Sequence, residues 1–178
     1  MEKGLIHVYH GDGKGKTTAS IGLAIRAAGS GKKVIFVQFM KDGSSSEIGI
    51  FKGIANIEYK CCEGKVGFFG SLEAEEKAAF ILTQQDLFQF VKEKIAKIND
   101  SDDCLFVLDE ATYLINYQII DKNDFIKLLD EKPQGTEIVI TGRNPDPAII
   151  EKADYVSEIC CKKHPFSNGI PARKGIEY

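Results

Sequence analysis

A glycine-rich stretch between two apolar segments constrains the fold of this chain more than any other part of its sequence. The segment "LIHVYH" (residues 5–10) has the β-branched, apolar character of a buried strand, and "KTTASIGLAIRAAGSG" (16–31), with Gly29 and Gly31 as helix stops, has apolar residues at helical spacing. Between them lies "GDGKG". A glycine-rich turn from a strand into a helix directs backbone N–H groups and the positive helix end towards an anion. The stretch therefore predicts a phosphate-binding loop.

This loop departs from the usual pattern G-x-x-x-x-G-K-[ST] at its first position. Counting back from Gly15, Lys16 and Thr17 places His10 where the pattern has glycine. We interpret His10 as a packed residue at the end of the strand, with a catalytic base as the alternative. The glycines instead alternate at positions 11, 13 and 15, which predicts a phosphate cradle that differs from that of an ordinary kinase.

Composition and charge narrow the possible folds and partners. The chain has 178 residues, 43% of them hydrophobic, which is enough for one well-buried core, so we expect a single domain over residues 1–178. A net charge of −3 argues against nucleic-acid binding through a basic face. No apolar run reaches the roughly 20 residues that span a bilayer and no signal peptide is evident, so we expect no membrane contact and a cytoplasmic location. The five cysteines lack C-x-x-C spacing and are expected to be reduced thiols.

Strands and helices alternate along the rest of the chain. The further strand-like segments are "KVIFVQF" (33–39), "NIEYKCC" (56–62), "CLFVLDEATY" (104–113), "TEIVITGR" (136–143) and "YVSEICC" (155–161). A long helix is expected from Ser71 as its N-cap to Ile98, and a short one after Asp121. Short apolar strands separated by helices predict an α/β fold with a mostly parallel sheet covered by helices on both faces, as in RecA-like P-loop domains. Ligands bind at the carboxyl edge of such a sheet.

An acidic pair supports a nucleotide site. The hydrophobic strand from Leu105 to Leu108 ends in Asp109 and Glu110, and a carboxylate there can hold or orient a metal beside bound phosphates. The alternative for the glycine-rich stretch alone is a flexible surface turn. The flanking strand and helix, together with the acidic strand, argue against that alternative.

Four segments together resemble the P-loop ATP:corrinoid adenosyltransferases of cobalamin biosynthesis. They are "GDGKGKTTASIGLAIRAAGSGKKVIFVQFMK", "LFVLDEATY", "VITGR" and the closing "KGIEY", and the resemblance runs from Leu5 to Tyr178. It implies a transferase in which cobalt(I) of a reduced corrinoid attacks the 5′-carbon of ATP and triphosphate leaves. It also implies a nucleotide bound in the reverse sense to that in ordinary P-loop enzymes. Backbone amides, Lys16 and Mg²⁺ would then stabilise the leaving group.

The resemblance implies roles for the residues of the loop and the acidic strand. Lys16 would be the principal cation and a catalytic residue. Thr17 and Glu110 would hold Mg²⁺, with Asp109 behind them. The residues expected to bind ATP are Gly11, Asp12, Gly13, Lys14, Gly15, Lys16, Thr17 and Thr18.

Further residues singled out by the resemblance lie outside the loop. Arg26 is expected to contact phosphate, with a solvated helix charge as the alternative. Arg143 is expected to contact ATP or corrinoid, with a structural ion pair as the alternative. Phe68, within "VGFFGSLE" (66–73), matches a catalytic phenylalanine that displaces the lower axial ligand of cobalt in the family. The chain has Gly70 where many relatives have tryptophan.

The same resemblance implies a small flavoprotein as the reductant and a homodimer as the assembly. Two rival functions are a P-loop kinase similar to thymidine kinase, whose four-cysteine zinc lasso has no match here, and a nucleotide-dependent binding switch. Their products differ, because a kinase yields ADP, an ATPase yields ADP and phosphate, and adenosyl transfer yields triphosphate. The acceptor could be a complete cobalamin or an earlier a,c-diamide corrinoid.

Overall fold

Six parallel strands form one sheet in the computed structural model, which describes residues 3–62 and 69–178. The strands are β1 (Ile6–His10), β2 (Lys33–Gln38), β3 (Ile57–Cys61), β4 (Cys104–Asp109), β5 (Thr136–Gly142) and β6 (Tyr155–Glu158). Their order across the sheet is β3-β2-β4-β5-β1-β6, and each pairing between these strands is parallel. The predicted parallel α/β sheet is confirmed.

Helices cover both faces of this sheet. Within the described ranges they are α1 (Lys16–Gly29), α2 (Ile48–Phe51), α3 (Ala74–Ile95), α4 (Thr112–Asn116), α5 (Lys122–Asp130) and α6 (Pro147–Lys152). Ala24 of α1 and Phe51 of α2 belong to the core on one face, whereas Phe88, Phe125 and Ile149 of α3, α5 and α6 belong to the core on the other. The predicted two-sided covering is confirmed. No helix in the described part of the chain has the length and apolar character needed to cross a membrane.

Strand β2 shows why the sequences of the strands are continuous runs of apolar residues. Val34 and Phe36 lie in the core beneath α1, and Ile35 and Val37 lie in the opposite core. All four side chains are fully buried. Because successive side chains of a strand point to opposite faces, a strand covered on both faces needs apolar residues at every position.

The long helix begins later than the sequence predicts. The expected N-cap, Ser71, belongs to a short 3₁₀ turn (Phe69–Ser71), and Glu73 is the residue that caps α3. The Glu76 carboxylate accepts a hydrogen bond from the Glu73 N–H at 3.1 Å, so a glutamate pair replaces the expected serine. The helix also ends at Ile95, before the expected Ile98. The prediction that Asp121 opens a short helix is confirmed, since its carboxylate accepts from the N–H two residues on at 2.8 Å.

The strand order brings three chain segments to one edge of the sheet. β5 lies between β1, which leads into the glycine-rich loop, and β4, which ends in Asp109. A single strand therefore separates the loop strand from the acidic strand. Because all strands are parallel, the residues after β1, β4 and β5 emerge at the same edge, where ligands of such sheets bind.

Candidate active site

The glycine-rich loop packs against the segment that follows β6. Gly13 N–H donates to the Ile159 carbonyl at 2.7 Å, and Ile159 N–H donates to the His10 carbonyl at 2.8 Å. A Cβ added at Gly11 or Gly13 would lie 2.6 Å from the Ile159 oxygen. Gly15 differs, because its added Cβ would meet nothing within 4 Å but its φ of +128° favours glycine. Two of the alternating glycines are therefore required by close packing and the third by the turn into α1.

Gly13→Ala should destabilise the protein, because the added methyl group would overlap the backbone carbonyl oxygens of Ile159 and Cys160. We expect a loss of about 1–3 kcal/mol in the free energy of unfolding. Gly22→Ala is the matched control, since Gly22 lies inside α1 with nothing within 4 Å of an added Cβ, and should gain roughly 0.5–1 kcal/mol. Urea unfolding measures the free energy of unfolding of both variants. Equal values for Gly13→Ala and Gly22→Ala would contradict the packing argument.

Lys16 begins α1 and its ammonium folds back over the loop. Nζ donates to the carbonyl oxygens of Gly11 at 2.8 Å and Gly13 at 3.1 Å. Burial lowers the pKa of this ammonium, and the carboxylate of Glu110 opposes the shift. The ammonium thus points into the hollow of the loop, where the oxygens of an anion would compete with the two carbonyls for its N–H donors.

Asp109, at the end of β4, is completely buried and accepts four side-chain hydrogen bonds. Its Oδ1 accepts from the hydroxyls of Thr17 at 2.9 Å and Thr141 at 2.7 Å. Its Oδ2 accepts from the Gln38 amide at 3.1 Å and the Lys41 ammonium at 2.7 Å. An ionised carboxylate has about four acceptor sites, so Asp109 is saturated. It is suited to orienting its neighbours rather than to binding a metal directly.

Glu110 follows in the chain but faces a different environment. Its backbone is left-handed, with φ of +59°, and its N–H donates to the Thr141 hydroxyl at 2.9 Å. The side chain lines a cavity together with Lys16 and Arg143. Burial raises the pKa of the carboxyl, and the nearby Asp109 raises it further. Among the described residues, the Glu110 carboxylate has no hydrogen-bond or ion-pair partner. The charges of Lys41, Lys16 and Arg143 oppose the rise of its pKa, and its oxygens are available to a cation bound in the cavity.

The predicted magnesium ligands, Thr17 and Glu110, line the same cavity. A hydroxyl and a carboxylate are the oxygen ligands that Mg²⁺ prefers, and the unpartnered carboxylate supplies the negative charge, so these residues fit the ion. Within residues 3–62 and 69–178, no group of three or more His, Cys, Asp or Glu side chains could hold a metal. The remaining ligands of a magnesium ion here would be water or phosphate oxygens, as is usual for Mg²⁺ at nucleotide sites.

Three cavities meet at this edge of the sheet. The loop cavity, of about 220 Å³, is lined by residues 12–18 with Glu110, Arg143, His164, Ile176 and Glu177. The aromatic cavity, of about 370 Å³, is lined by Lys16, Met40, Lys41, Phe69, Phe80, Glu110, Tyr113, Tyr117 and Arg143. The outer cavity, of about 690 Å³, lies between the start of α1, residues 40–50 and residues 175–178. The loop and aromatic cavities share Lys16, Glu110 and Arg143 and are therefore adjacent.

Stacked rings form the wall of the aromatic cavity. Phe69 stacks on Tyr117 with ring centroids 4.5 Å apart and packs against Phe80 at 5.5 Å. Tyr113 stacks on Tyr117 at 5.3 Å. Sequence reasoning did not single out either tyrosine, although their spacing of four residues places them on one helix face. Phe68, the predicted catalytic aromatic residue, lies outside the described residues.

Comparison with known proteins decides the family. The family model described as ATP:corrinoid adenosyltransferase BtuR/CobO/CobP matches residues 2–178. The chain belongs to this family. Corrinoid adenosyltransferase of Escherichia coli strain K12 is 34% identical over 177 residues, which cover 99% of this chain and 87% of that protein. Corrinoid adenosyltransferase CobA of Salmonella typhimurium has the same identity and the same coverage.

A third relative and one solved structure add to these similarities. A corrinoid adenosyltransferase of a Sinorhizobium species is 34% identical over 181 residues, covering 99% of this chain and 81% of that protein. Among solved structures, EssC (ATPases 2 and 3) from Geobacillus thermodenitrificans aligns with a TM-score of 0.49 at 12% identity. That alignment covers 98% of this chain and 36% of the other, and it is too weak to bear on function.

The two arginines that the adenosyltransferase resemblance singled out lie in different places. Arg143 follows β5, its Nη1 is 3.6 Å from Asp12 Oδ1, and its carbonyl accepts from Thr112 and Asn116 at 2.9 and 3.0 Å. It lines both the loop and the aromatic cavities. Arg26 is exposed in the last turn of α1.

Arg26 lies apart from the loop in this structure, and its phosphate contact stays a prediction. Arg26 is ten residues beyond Lys16 in the same helix, which separates the two by about 15 Å along the helix axis. It is absent from the linings of all three cavities. A cation in the last turn instead complements the negative end of the helix dipole, which agrees with the alternative of a solvated helix charge.

The segment that ends in "KGIEY" lies beside the loop, a location that sequence reasoning did not predict. Glu177 accepts hydrogen bonds from the Arg173 N–H at 2.8 Å and from its guanidinium at 3.0 Å, and these bonds lower the pKa of the Glu177 carboxyl to about 2. The Ser46 hydroxyl donates to the Tyr178 carbonyl at 3.0 Å. Glu177 lines both the loop cavity and the outer cavity. The family motif therefore forms part of the wall of the site.

Proposed function

We propose that this chain is an ATP:corrinoid adenosyltransferase that transfers the 5′-deoxyadenosyl group of ATP to a reduced corrinoid. The observation that carries the proposal is the family match over residues 2–178. The cobalt–carbon bond forms from two electrons of cobalt(I) while the bond between the 5′-carbon and oxygen breaks. Cobalt is thereby formally oxidised to cobalt(III), and triphosphate leaves with the electron pair of the broken bond.

The loop cavity is the proposed site of the triphosphate. Lys16 and Arg143 line this cavity, and the N-terminus of α1 adds a positive dipole end. Charge accumulates on the triphosphate as it leaves, so these fixed positive groups stabilise the transition state more than bound ATP. Lys16 is therefore proposed as the principal catalytic residue, and residues 11–18 as the ATP-binding loop.

Thr17 and Glu110 are the proposed magnesium ligands, held in place by their neighbours. Asp109 accepts from the Thr17 hydroxyl, and Thr141 bonds both Asp109 and the Glu110 N–H. When bound, Mg²⁺ would supply additional positive charge to the leaving phosphates. Asp109 would keep the Thr17 oxygen turned towards the cavity. This orienting role agrees with the four hydrogen bonds that the Asp109 carboxylate already accepts.

The aromatic cavity is the proposed site for one face of the corrinoid. It adjoins the loop cavity across Lys16, Glu110 and Arg143, so a nucleotide bound in the reverse sense would present its 5′-carbon at this boundary. The stacked rings of Phe69 and its neighbours supply an apolar surface that excludes water. Phe68, adjacent in the chain, is proposed as the residue that displaces the lower axial ligand of cobalt.

The wider biological setting is proposed from the same family resemblance. We propose that residues 1–178 act as one nucleotide-binding domain, because the six described strands belong to one sheet. A homodimer in the cytoplasm, supplied with electrons by a small flavoprotein, is the proposed working state. A kinase or a nucleotide-dependent switch is not favoured, since the family match runs over nearly the whole chain.

A product assay tests the proposed reaction. The purified protein would receive ATP, Mg²⁺ and chemically reduced cobalt(I), supplied in one series as cobalamin and in another as the a,c-diamide corrinoid. We expect triphosphate and an adenosylcorrinoid in equal amounts, the latter followed by its visible spectrum. ADP without triphosphate would favour a kinase, or an ATPase if phosphate accompanies it, and would overturn the proposal. The two series distinguish the acceptors.

Glu110→Gln should weaken magnesium dependence more than it weakens metal-free ATP binding. The variant keeps the shape of the side chain but loses the charge that would bind the metal, so we expect the half-saturating Mg²⁺ concentration to rise about tenfold or more. Glu131→Gln is the control, because Glu131 is exposed in an i,i+4 pair with Lys127 and lines none of the loop, aromatic and outer cavities. Identical magnesium titrations of Glu110→Gln and wild type would remove Glu110 from the metal site.

A further inference from the structure

Lys41 places a cation on the residues that the proposed magnesium site uses. Its Nζ lies 2.7 Å from Asp109 Oδ2 and donates to Thr17 Oγ1 at 3.1 Å. The side chain of Asp109 is fully buried, and about a quarter of the Lys41 side chain is exposed. Lys41 also lines the outer and aromatic cavities. Its ammonium therefore lies over Asp109 and the Thr17 hydroxyl on the side of these two cavities.

The backbone before Lys41 is bent in a way that directs this side chain. Met40 has a left-handed φ of +58°, which is uncommon for a residue other than glycine. Its N–H donates to the side-chain oxygen of the buried Gln84 at 3.0 Å, and the preceding Phe39 N–H donates to the Asp109 carbonyl at 2.9 Å. These bonds turn the chain at the end of β2, so that Lys41 reaches back over the end of β4.

The position of the ammonium has a consequence for metal binding. The Thr17 hydroxyl gives its proton to Asp109 and accepts a hydrogen bond from Lys41, so one of its two lone pairs is already used. A divalent ion on the same oxygen would stand within a few ångströms of the ammonium, and two cations at that distance repel strongly in a partly buried site. The negative charge of a triphosphate would remove this conflict, by drawing the ammonium to phosphate oxygens.

We propose that Lys41 is a positioning residue that makes divalent-metal binding at Thr17 depend on the nucleotide. Without nucleotide, its ammonium neutralises Asp109 and holds the Thr17 hydroxyl while disfavouring a metal. With nucleotide, the phosphates offset its charge and the metal enters together with them. The inference rests on the proposed function, because it takes Thr17 and Glu110 as the metal ligands and ATP as the source of the phosphates.

Manganese binding, measured by electron paramagnetic resonance, tests this role without any turnover. Mn²⁺ is the probe, since it takes oxygen ligands at magnesium sites, and each protein is titrated with and without ATP. In the absence of ATP, Lys41→Gln and Lys41→Met should bind Mn²⁺ at least about tenfold more tightly than wild type, because one repelling charge is gone. The gain should be much smaller when ATP is present. Lys41→Arg keeps the charge and should resemble wild type.

The outcomes separate this inference from the function on which it rests. If wild type binds Mn²⁺ with ATP but neither neutral variant binds it more tightly without ATP, the role of Lys41 is wrong and the metal site stands. If ATP fails to strengthen Mn²⁺ binding by wild type, the nucleotide-linked metal site itself is wrong, and the inference falls with it. Thermal unfolding checks that the variants are folded. A comparison of Lys41→Gln with Lys41→Met shows whether a side-chain amide can replace the hydrogen bonds of the ammonium.

Discussion

Lys16→Ala is expected to lower turnover by about 10- to 100-fold, which corresponds to the loss of a charge-assisted contact worth about 1.5–3 kcal/mol in the transition state. Lys16 is only 7% exposed and lines the loop cavity, so a cation from solution does not readily take the place of its ammonium. Steady-state rates of triphosphate release measure the loss. Because the contact strengthens as the leaving group gains charge, kcat should fall more than the affinity for ATP.

Two comparisons separate this chemical role from support of the loop. Lys16 also bonds the carbonyls of Gly11 and Gly13, so its removal could loosen the loop as well as remove a charge. Thermal unfolding measures how far the loop is loosened. Lys14→Ala is the matched variant, because Lys14 lines the same cavity but is exposed, and a screened charge contributes less. A wild-type rate for Lys16→Ala would remove this lysine from the mechanism, and equal losses in the two variants would show that burial does not matter.

The sheet could be predicted from the sequence because parallel strands buried on both faces carry an unmistakable pattern. The apolar runs of β1, β2, β4 and β5 need no information from elsewhere in the chain. The helices α2, α4 and α6 could not be found in this way, because they have four, five and six residues, too few for a periodic stripe to repeat. The start of α3 was misplaced because its cap is a glutamate in a capping box, whereas the common N-cap residues are serine, threonine, aspartate and asparagine.

The site was predictable where its residues belong to local motifs and unpredictable where they meet through the fold. The loop, Thr17 and Glu110 follow from motif positions, and the structure brings them to one cavity. The bond from Thr17 to Asp109 spans 92 positions, and that from Lys41 to Asp109 spans 68. No sequence pattern sets such pairs, because they depend on the order of strands across the sheet. The need for glycine at positions 11 and 13 also depends on the fold, because the carbonyl oxygen that a side chain there would meet belongs to Ile159.

Phe68→Ala is expected to damage the reaction from cobalt(II) while sparing much of the rate from cobalt(I) supplied ready-made. If Phe68 excludes the lower axial ligand, its loss lets that ligand or water return and makes cobalt(II) harder to reduce. Every ~60 mV by which the potential falls removes about tenfold of the cobalt(I) present at equilibrium in a one-electron couple. We therefore expect a loss of about 100-fold with a biological reductant and a small loss with a strong chemical one.

Phe69→Ala is the comparison that the structure offers for this prediction. Phe69 is packed between Phe80 and Tyr117, with the Lys77 ammonium 4.6 Å from its ring centroid. Its loss should create a void in the wall of the aromatic cavity, lower the free energy of unfolding by about 2–4 kcal/mol, and depress the two assays together. A folded Phe68→Ala variant in which both assays fall equally would exclude Phe68 as the displacing residue. Should Phe69→Ala instead show the split between the two assays, the displacing ring would be Phe69, already seated in the aromatic cavity beside Lys16 and Glu110.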